Sequence, residues 1–141
     1  MADNLAPERR AHAMRRVKGK DTSPELCVRR LLRELGQSGY RLHRADIPGK
    51  PDIAWPGRRL ALFVHGCFWH GHDCPRGARM PQTRREYWAG KIDRNRRRDA
   101  QHRERLAELG WRVLVVWECE LRDPTALSNK LLNFLAADPR P

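Results

Sequence analysis

The stretch at residues 60–74 (LALFVHGCFWHGHDC) constrains the fold of this chain more than any other. Its first five residues are all apolar, enough for a strand at the centre of a sheet. The ten that follow contain three histidines, two cysteines and a Phe-Trp pair, side chains that bind metals, move protons or stack on bases. Because α/β enzymes often place a site where a buried strand ends, we expect a functional loop directly after this strand.

The hydrophobic pattern predicts an α/β fold with a mixed central sheet flanked by helices. A Pro-Gly turn at residues 48–49 joins two short strands and favours an antiparallel hairpin. A long helix then crosses over to a fourth strand, which we expect beside the central third strand. The predicted elements are a helix at 22–35, strands at 40–44, 52–55 and 60–64, a helix at 83–109, a strand at 111–117 and a helix at 124–136.

Four local assignments follow from the same pattern. Thr83 and Glu86 have the spacing of a capping box, which would begin the long helix. Cys27 falls on the apolar face of the first helix, so we expect it in the core. The fourth strand (WRVLVVW) is predicted to be buried, and residues 75–81 to be a loop. The last helix is predicted to face the core with Leu127, Leu131, Leu132 and Leu135.

The charge of the chain points to nucleic acid as its partner. There are 29 Lys and Arg against 17 Asp and Glu, a net charge of +12, and the basic residues are spread along the sequence. Such a cationic face favours phosphate backbones. No apolar run approaches the roughly 20 residues of a membrane span, and the N-terminus lacks the apolar core of a secretory signal. We therefore expect a cytoplasmic protein with no membrane partner and with reduced cysteines.

Reduced cysteines close to histidines favour a metal site over disulfides. Cys67 and Cys74 lie in the loop after the third strand, and Cys119 follows the fourth strand. If these two strands are neighbours in the sheet, their ends bring the three thiols together. Three thiols and one imidazole suit a structural Zn²⁺. Spacing alone does not choose between His70 and His72 as the fourth ligand.

A second set of residues suits a catalytic Mg²⁺, which prefers oxygen ligands. Asp52 begins the second strand, one hairpin away from His65 and the backbone carbonyl of Val64. A cation held by Asp52 and that carbonyl would polarise a phosphodiester. Glu25 could add a water-mediated contact, although a helix-capping role would also explain it.

Two histidines, His65 and His70, compete for the role of the base that activates water. On the long helix, Trp88, Asn95 and Asp99 are spaced so that they share one face. Asp99 could orient a histidine, as carboxylates commonly do.

Two further segments could contact DNA. Phe68 and Trp69 stand in a basic, glycine-rich loop, where aromatic rings can stack between bases; ordinary core packing is the alternative. Residues 1–21 form a basic arm in which Met14 is an apolar side chain among arginines. That methionine either packs on the body of the protein or contacts DNA.

Five motifs together resemble the bacterial very-short-patch repair endonucleases. The resemblance extends from about residue 10 to about residue 133, and the combination of HGCFWH with a downstream WEC is highly specific. The motifs are PGKPD (48–52), FVHGCFWHGHDC (63–74), TRREYW (83–88), KIDRNRRRD (91–99) and LGWRVLVVWEC (109–119).

The resemblance implies a Mg²⁺-dependent, strand-specific DNA endonuclease with a restriction-endonuclease-like core at residues 22–141 and a structural zinc. Members nick beside the thymine of a T:G mismatch that arises by deamination of 5-methylcytosine. The implied partners are mismatched duplex DNA, with mismatch-repair proteins and a cytosine methyltransferase system in the same pathway. A monomer that acts at the nucleoid is expected, since nicking one strand needs one active centre.

The resemblance also implies roles for individual residues. His70 corresponds to the base, paired with Asp99, while His65 lies near the scissile phosphate and Glu25 supports the metal site. The magnesium ligands would be Asp52 and the Val64 carbonyl. The zinc ligands would be Cys67, His72, Cys74 and Cys119, the aromatic wedge Phe68, Trp69 and Trp88, and the remaining DNA contacts Met14 and Asn95.

Two departures from the best-known member stand out. Val64 stands where that member has a threonine, a change that should be tolerated because the ligand would be the backbone carbonyl. Gly71 and Asp73 stand where that member has a longer run of histidines. Two other functions stay open: a nickase of the same fold with another mismatch or sequence specificity, and a non-catalytic zinc-containing DNA-binding module.

Overall fold

The computed structural model describes residues 23–78 and 80–136. The basic arm at 1–21, with Met14, therefore lies outside the described residues. The described residues form three major helices and four strands, together with two 3₁₀ turns and one short helical turn. The elements are α1 (Ser23–Glu34), β1 (Arg41–Leu42), β2 (Ile53–Trp55), β3 (Leu60–His65), the turn α2 (Pro75–Ala78), α3 (Arg85–Glu108), β4 (Arg112–Trp117) and α4 (Pro124–Ala136).

The four strands form one mixed sheet in the order β1-β2-β3-β4. β1 and β2 are antiparallel, as are β2 and β3. β3 and β4 run parallel, with Leu60 opposite Arg112 and His65 opposite Trp117. The parallel pair requires a long crossover, which α3 supplies. This confirms the predicted α/β fold with its hairpin and its central third strand.

Side chains of β3 alternate between two cores, because successive residues of a strand point to opposite faces. Leu60 and Leu62 pack with α1 and α4 on one face of the sheet, whereas Ala61 and Phe63 pack on the other face, where α3 contributes Leu106. Burial on both faces explains why the sequence of β3 is continuously apolar.

Three burial predictions were wrong. Of the six residues of β4 only Val116 is fully buried, because β4 is the edge strand of the sheet that the described residues form. Leu132 is exposed, and Phe134 takes an inward position in α4. Cys27 is exposed, since the inward stripe of α1 runs through Glu25, Val28 and Leu32.

The segment between the ligand loop and α3 also differs from prediction. The 75–81 loop contains the helical turn α2. α3 begins at Arg85 without a side-chain cap within the described residues, and Arg84 precedes it in a left-handed conformation with φ of 56°. The predicted capping box of Thr83 and Glu86 is therefore absent there. No helix in residues 23–78 or 80–136 has the length and apolarity to cross a membrane.

Candidate active site and metal centres

The chemically active side chains meet at the carboxyl ends of β3 and β4. Because these strands are parallel, the loop after His65 and the turn after Trp117 leave the same edge of the sheet. Within the described part of the chain, three groups of side chains that could hold a metal ion form there, each with ligand atoms within 4.8 Å of one another. The groups are Cys67, His72, Cys74 and Cys119; His65, His70 and Asp99; and Glu25, His43 and Asp52.

The first group has the ligands that zinc prefers, three sulfurs and one imidazole nitrogen. His72, and not His70, is the histidine in it, with its Nδ1 3.6 Å from the sulfur of Cys119. The backbone N–H of Cys119 donates to the Cys67 sulfur at 3.3 Å. Burial raises the pKa of the Cys67 thiol to about 12, so a cation is needed before this sulfur ionises. The residues fit a metal ion that ties together the ends of two strands.

We expect Cys119→Ser to lose bound zinc and to lower the melting temperature by more than about 10 °C, because zinc binding contributes directly to folding. Cys27→Ser is the matched control, since Cys27 is exposed and outside the group. Metal analysis and thermal melting of both variants test this prediction. A Cys119→Ser protein that keeps one zinc per chain would contradict it.

The acidic group (Glu25, His43 and Asp52) lies beside the start of β2 and the end of β3. Asp52 Oδ2 accepts a hydrogen bond of 2.7 Å from the N–H of Val64. Since the N–H and C=O of a strand residue point to the same side, we expect the Val64 carbonyl on the side of Asp52 as well. The pKa of Asp52 is raised to about 6, chiefly by burial; the hydrogen bond from Val64 lowers it, and the charge of Glu25 raises it. Glu25 itself is only 1% exposed.

Two carboxylates confined in this way create an excess of negative charge that a divalent cation would neutralise. With the Val64 carbonyl they offer only hard oxygen ligands, which Mg²⁺ prefers. The residues therefore fit a magnesium ion.

The two candidate base residues differ sharply in their surroundings. His70 Nδ1 lies 2.5 Å from Asp99 Oδ2, and its side chain is 24% exposed. Its ring stacks on that of His65, with centroids 3.8 Å apart and planes 2° apart. His65 is buried, and burial together with His70 lowers its pKa to about 4. Its Nδ1 has no hydrogen-bond partner among the described residues.

The His70–Asp99 pair has the geometry of a base held by a carboxylate. Burial raises the pKa of Asp99, but the hydrogen bond and charge of His70 outweigh this effect and leave the pKa below its usual value. Asp99 is thus ionised at neutral pH and holds the Nδ1 proton, which leaves Nε2 of His70 to accept another.

The predicted wedge residues form a compact surface cluster outside both cores. Phe68, Trp69 and Trp88 contact one another edge to face, with centroids 5.2–5.7 Å apart, and all three are partly exposed. Lys91 lies over the rings of both tryptophans. The side-chain amide of Asn95 donates to the Trp69 carbonyl at 2.8 Å, so in this state it supports the cluster.

Sequence reasoning missed two residues of the site. Trp117 stacks on His72, with centroids 4.1 Å apart, and meets His65 and His70 edge on. It therefore links the cysteine group to both histidines, and its position two residues before Cys119 was an available signal. His43 belongs to the acidic group, and nothing in its local sequence indicated this.

Comparison with known proteins gives a consistent result. The family model described as "DNA mismatch endonuclease Vsr" matches residues 2–76. The chain is 54% identical over 135 residues to the type II nicking enzyme V.XorIIP of Xanthomonas oryzae pv. oryzae, covering 96% of this chain and 98% of that protein. It is 42% identical over 133 residues to the DNA mismatch endonuclease Vsr of Escherichia coli, covering 94% and 84%.

A solved structure extends the comparison to the fold. The catalytic domain of the homing endonuclease I-Bth0305I superposes with a TM-score of 0.59 at 20% identity, covering 84% of this chain and 98% of that domain. At this identity the likeness concerns the fold alone. The chain thus shares the fold of that catalytic domain.

Proposed function

The chain belongs to the Vsr family of DNA mismatch endonucleases, and from that premise we propose that it nicks duplex DNA beside the thymine of a T:G mismatch to start very-short-patch repair. It is a DNA endonuclease. We propose in addition its preference for a T:G mismatch, its use of Mg²⁺ and its histidine-based mechanism. The observation that carries it is the 2.5 Å contact between His70 and Asp99, next to the acidic group of Asp52. The charge of His70 is near enough to lower the pKa of Asp52.

In the proposed reaction His70 acts as the general base. Asp99 holds its Nδ1 proton, so Nε2 takes a proton from the attacking water. The water oxygen bonds to phosphorus while the P–O bond to the leaving sugar oxygen breaks, and solvent protonates that oxygen. A magnesium ion bound by Asp52 and the Val64 carbonyl would polarise the phosphodiester. His65, buried and neutral, supports the His70 ring by stacking.

The aromatic cluster supports a substrate in which bases are unstacked. Rings that are already packed against one another can enter a base step as one unit, and a mismatched step is easier to open than a paired one. Lys91 adds a cation beside the rings. We also propose that Met14 and Asn95 contact the bases. In this proposal residues 1–21 are a DNA-binding arm and residues 22–141 are a single nuclease domain.

A nickase of the same fold with another sequence preference is the second candidate, favoured by the relatives named as type II nicking enzymes. A non-catalytic DNA-binding module is disfavoured, because such a module has no need of the His70–Asp99 pair. We further propose that the enzyme works as a monomer in the cytoplasm, on nucleoid DNA, beside mismatch-repair proteins and a cytosine methyltransferase.

A duplex with one central T:G pair should be nicked on the thymine strand in the presence of Mg²⁺ and zinc-loaded enzyme, at least about 100-fold faster than the matching homoduplex. The reason is that only the mismatched step opens at low cost for the wedge. Denaturing gels of strand-labelled duplexes measure both rates. Equal rates on the two duplexes would remove the mismatch proposal, and a panel of mismatches and flanking sequences would then define the second candidate.

A further inference from the structure

His43 lies outside every predicted motif, yet its side chain contacts a residue of the magnesium site. It follows β1 directly, and its Nε2–H donates to both carboxylate oxygens of Glu25, at 2.9 and 2.8 Å. Because a carboxylate only accepts, this nitrogen must carry the proton. Glu25 is 1% exposed and His43 13%, so water competes little for the contact. Arg29 also approaches Glu25, but at 3.4 Å.

The backbone of His43 is held in an unfavourable conformation. Its φ of 50° is in the left-handed region, which is sterically unfavourable for a residue with a side chain. A backbone hydrogen bond of 3.2 Å from His43 N–H to the Asp52 carbonyl accompanies this conformation. One residue thus bonds to Asp52 through its backbone and to Glu25 through its side chain. Strain retained at such a point indicates a functional constraint.

We propose that His43 is a positioning residue of the magnesium site, which fixes the Glu25 carboxylate beside Asp52. The inference rests on the proposed function, because it assigns His43 to the cation held there. A carboxylate has about four acceptor sites. The N–H of His43 approaches both oxygens of Glu25 from one side, whereas Arg29 approaches Oε2 from farther away. Without His43 the carboxylate loses these two short contacts, and its orientation beside Asp52 is less well defined.

His43→Asn is the variant that tests this role, because asparagine tolerates a left-handed backbone but its side chain is too short to reach Glu25. Partners that orient metal ligands are typically worth 10- to 100-fold in affinity. We expect about a 10- to 100-fold weaker affinity for Mn²⁺, which accepts the same oxygen ligands, measured from the free-ion EPR signal. The Mg²⁺ concentration for half-maximal nicking should rise in parallel, while the rate at saturating Mg²⁺ falls less.

Two further variants separate positioning from a merely structural effect. His43→Gln supplies a longer side chain with an N–H donor and should recover most of the affinity. In a Glu25→Gln background, His43→Asn should weaken Mn²⁺ binding no further, since the contact that it removes is already changed. Arg44→Gln, at the exposed neighbour that pairs with Asp46, is the control and should bind like wild type.

Wild-type Mn²⁺ affinity in His43→Asn would overturn the inference, and so would additive losses in the Glu25→Gln background. Failure of the wild-type enzyme to nick a T:G duplex would instead contradict the proposed function, while the Mn²⁺ titration would still report on His43.

Discussion

Replacing His70 by alanine is expected to lower the single-turnover rate of nicking by about 100- to 10,000-fold, the usual contribution of a general base. Zinc content and affinity for a mismatched duplex should stay near those of wild type, because His70 lies outside the cysteine group. Asp99→Asn should give a smaller loss through the same step, since an amide no longer stabilises the protonated imidazole. Single-turnover rates, metal analysis and duplex binding measure the three quantities.

His102→Gln is the matched control for His70→Ala. His102 is also a histidine, on α3 beside Gly49, but it belongs to none of the three groups. We expect its rate to match wild type. Loss of zinc in His70→Ala would show that His70, and not His72, is the zinc ligand. A His70→Ala enzyme that nicks at the wild-type rate would leave His65 as the base.

Asp52→Asn is expected to abolish Mg²⁺-dependent nicking, with a loss of at least about 1,000-fold, because the cation loses its charged ligand. The same change should raise the melting temperature measured without Mg²⁺ at neutral pH. Burial raises the pKa of Asp52 from 3.8 to about 6, so the charged form destabilises the folded state above that pH. A shift of two units corresponds to at most about 3 kcal/mol. An asparagine oxygen still accepts the Val64 hydrogen bond.

Asp46→Asn is the control for the predicted combination of a lower nicking rate and a higher melting temperature. Asp46 is exposed and pairs with Arg44, so its replacement should change neither the nicking rate nor the melting temperature appreciably. If Asp52→Asn kept its Mg²⁺ dependence, the metal would have to be bound elsewhere. If it instead melted far below wild type, the carboxylate would have a structural role that the buried charge does not explain.

The secondary structure was largely readable because it depends on local patterns. The continuous apolar run of β3 and the spacing of α1 predicted their elements closely. The errors arose where burial depends on distant parts of the chain. Cys27 fits the apolar stripe that the spacing of α1 predicts. The elements that pack against α1 instead cover the face with Glu25, Val28 and Leu32 and leave Cys27 exposed. β4 is as apolar as β3, yet its edge position leaves most of it partly exposed.

The sequence by itself determined the kinds of chemistry available to this protein. Thiols, imidazoles, carboxylates and aromatic rings follow one apolar strand, and their types restrict the metals and reactions that they can support. Only the tertiary structure decided which side chains act together. The parallel register of His65 with Trp117 brings Cys119 to the ligand loop, and the packing of α3 brings Asp99 to His70.

The Glu25–His43 contact could not be predicted from the sequence. The two residues are 18 positions apart, and no periodic pattern connects them. Their contact exists because α1 packs on one face of the sheet, in the same core as Leu42 of β1. Local patterns arise from interactions between near neighbours, whereas a buried hydrogen bond between distant residues forms only after the chain has folded.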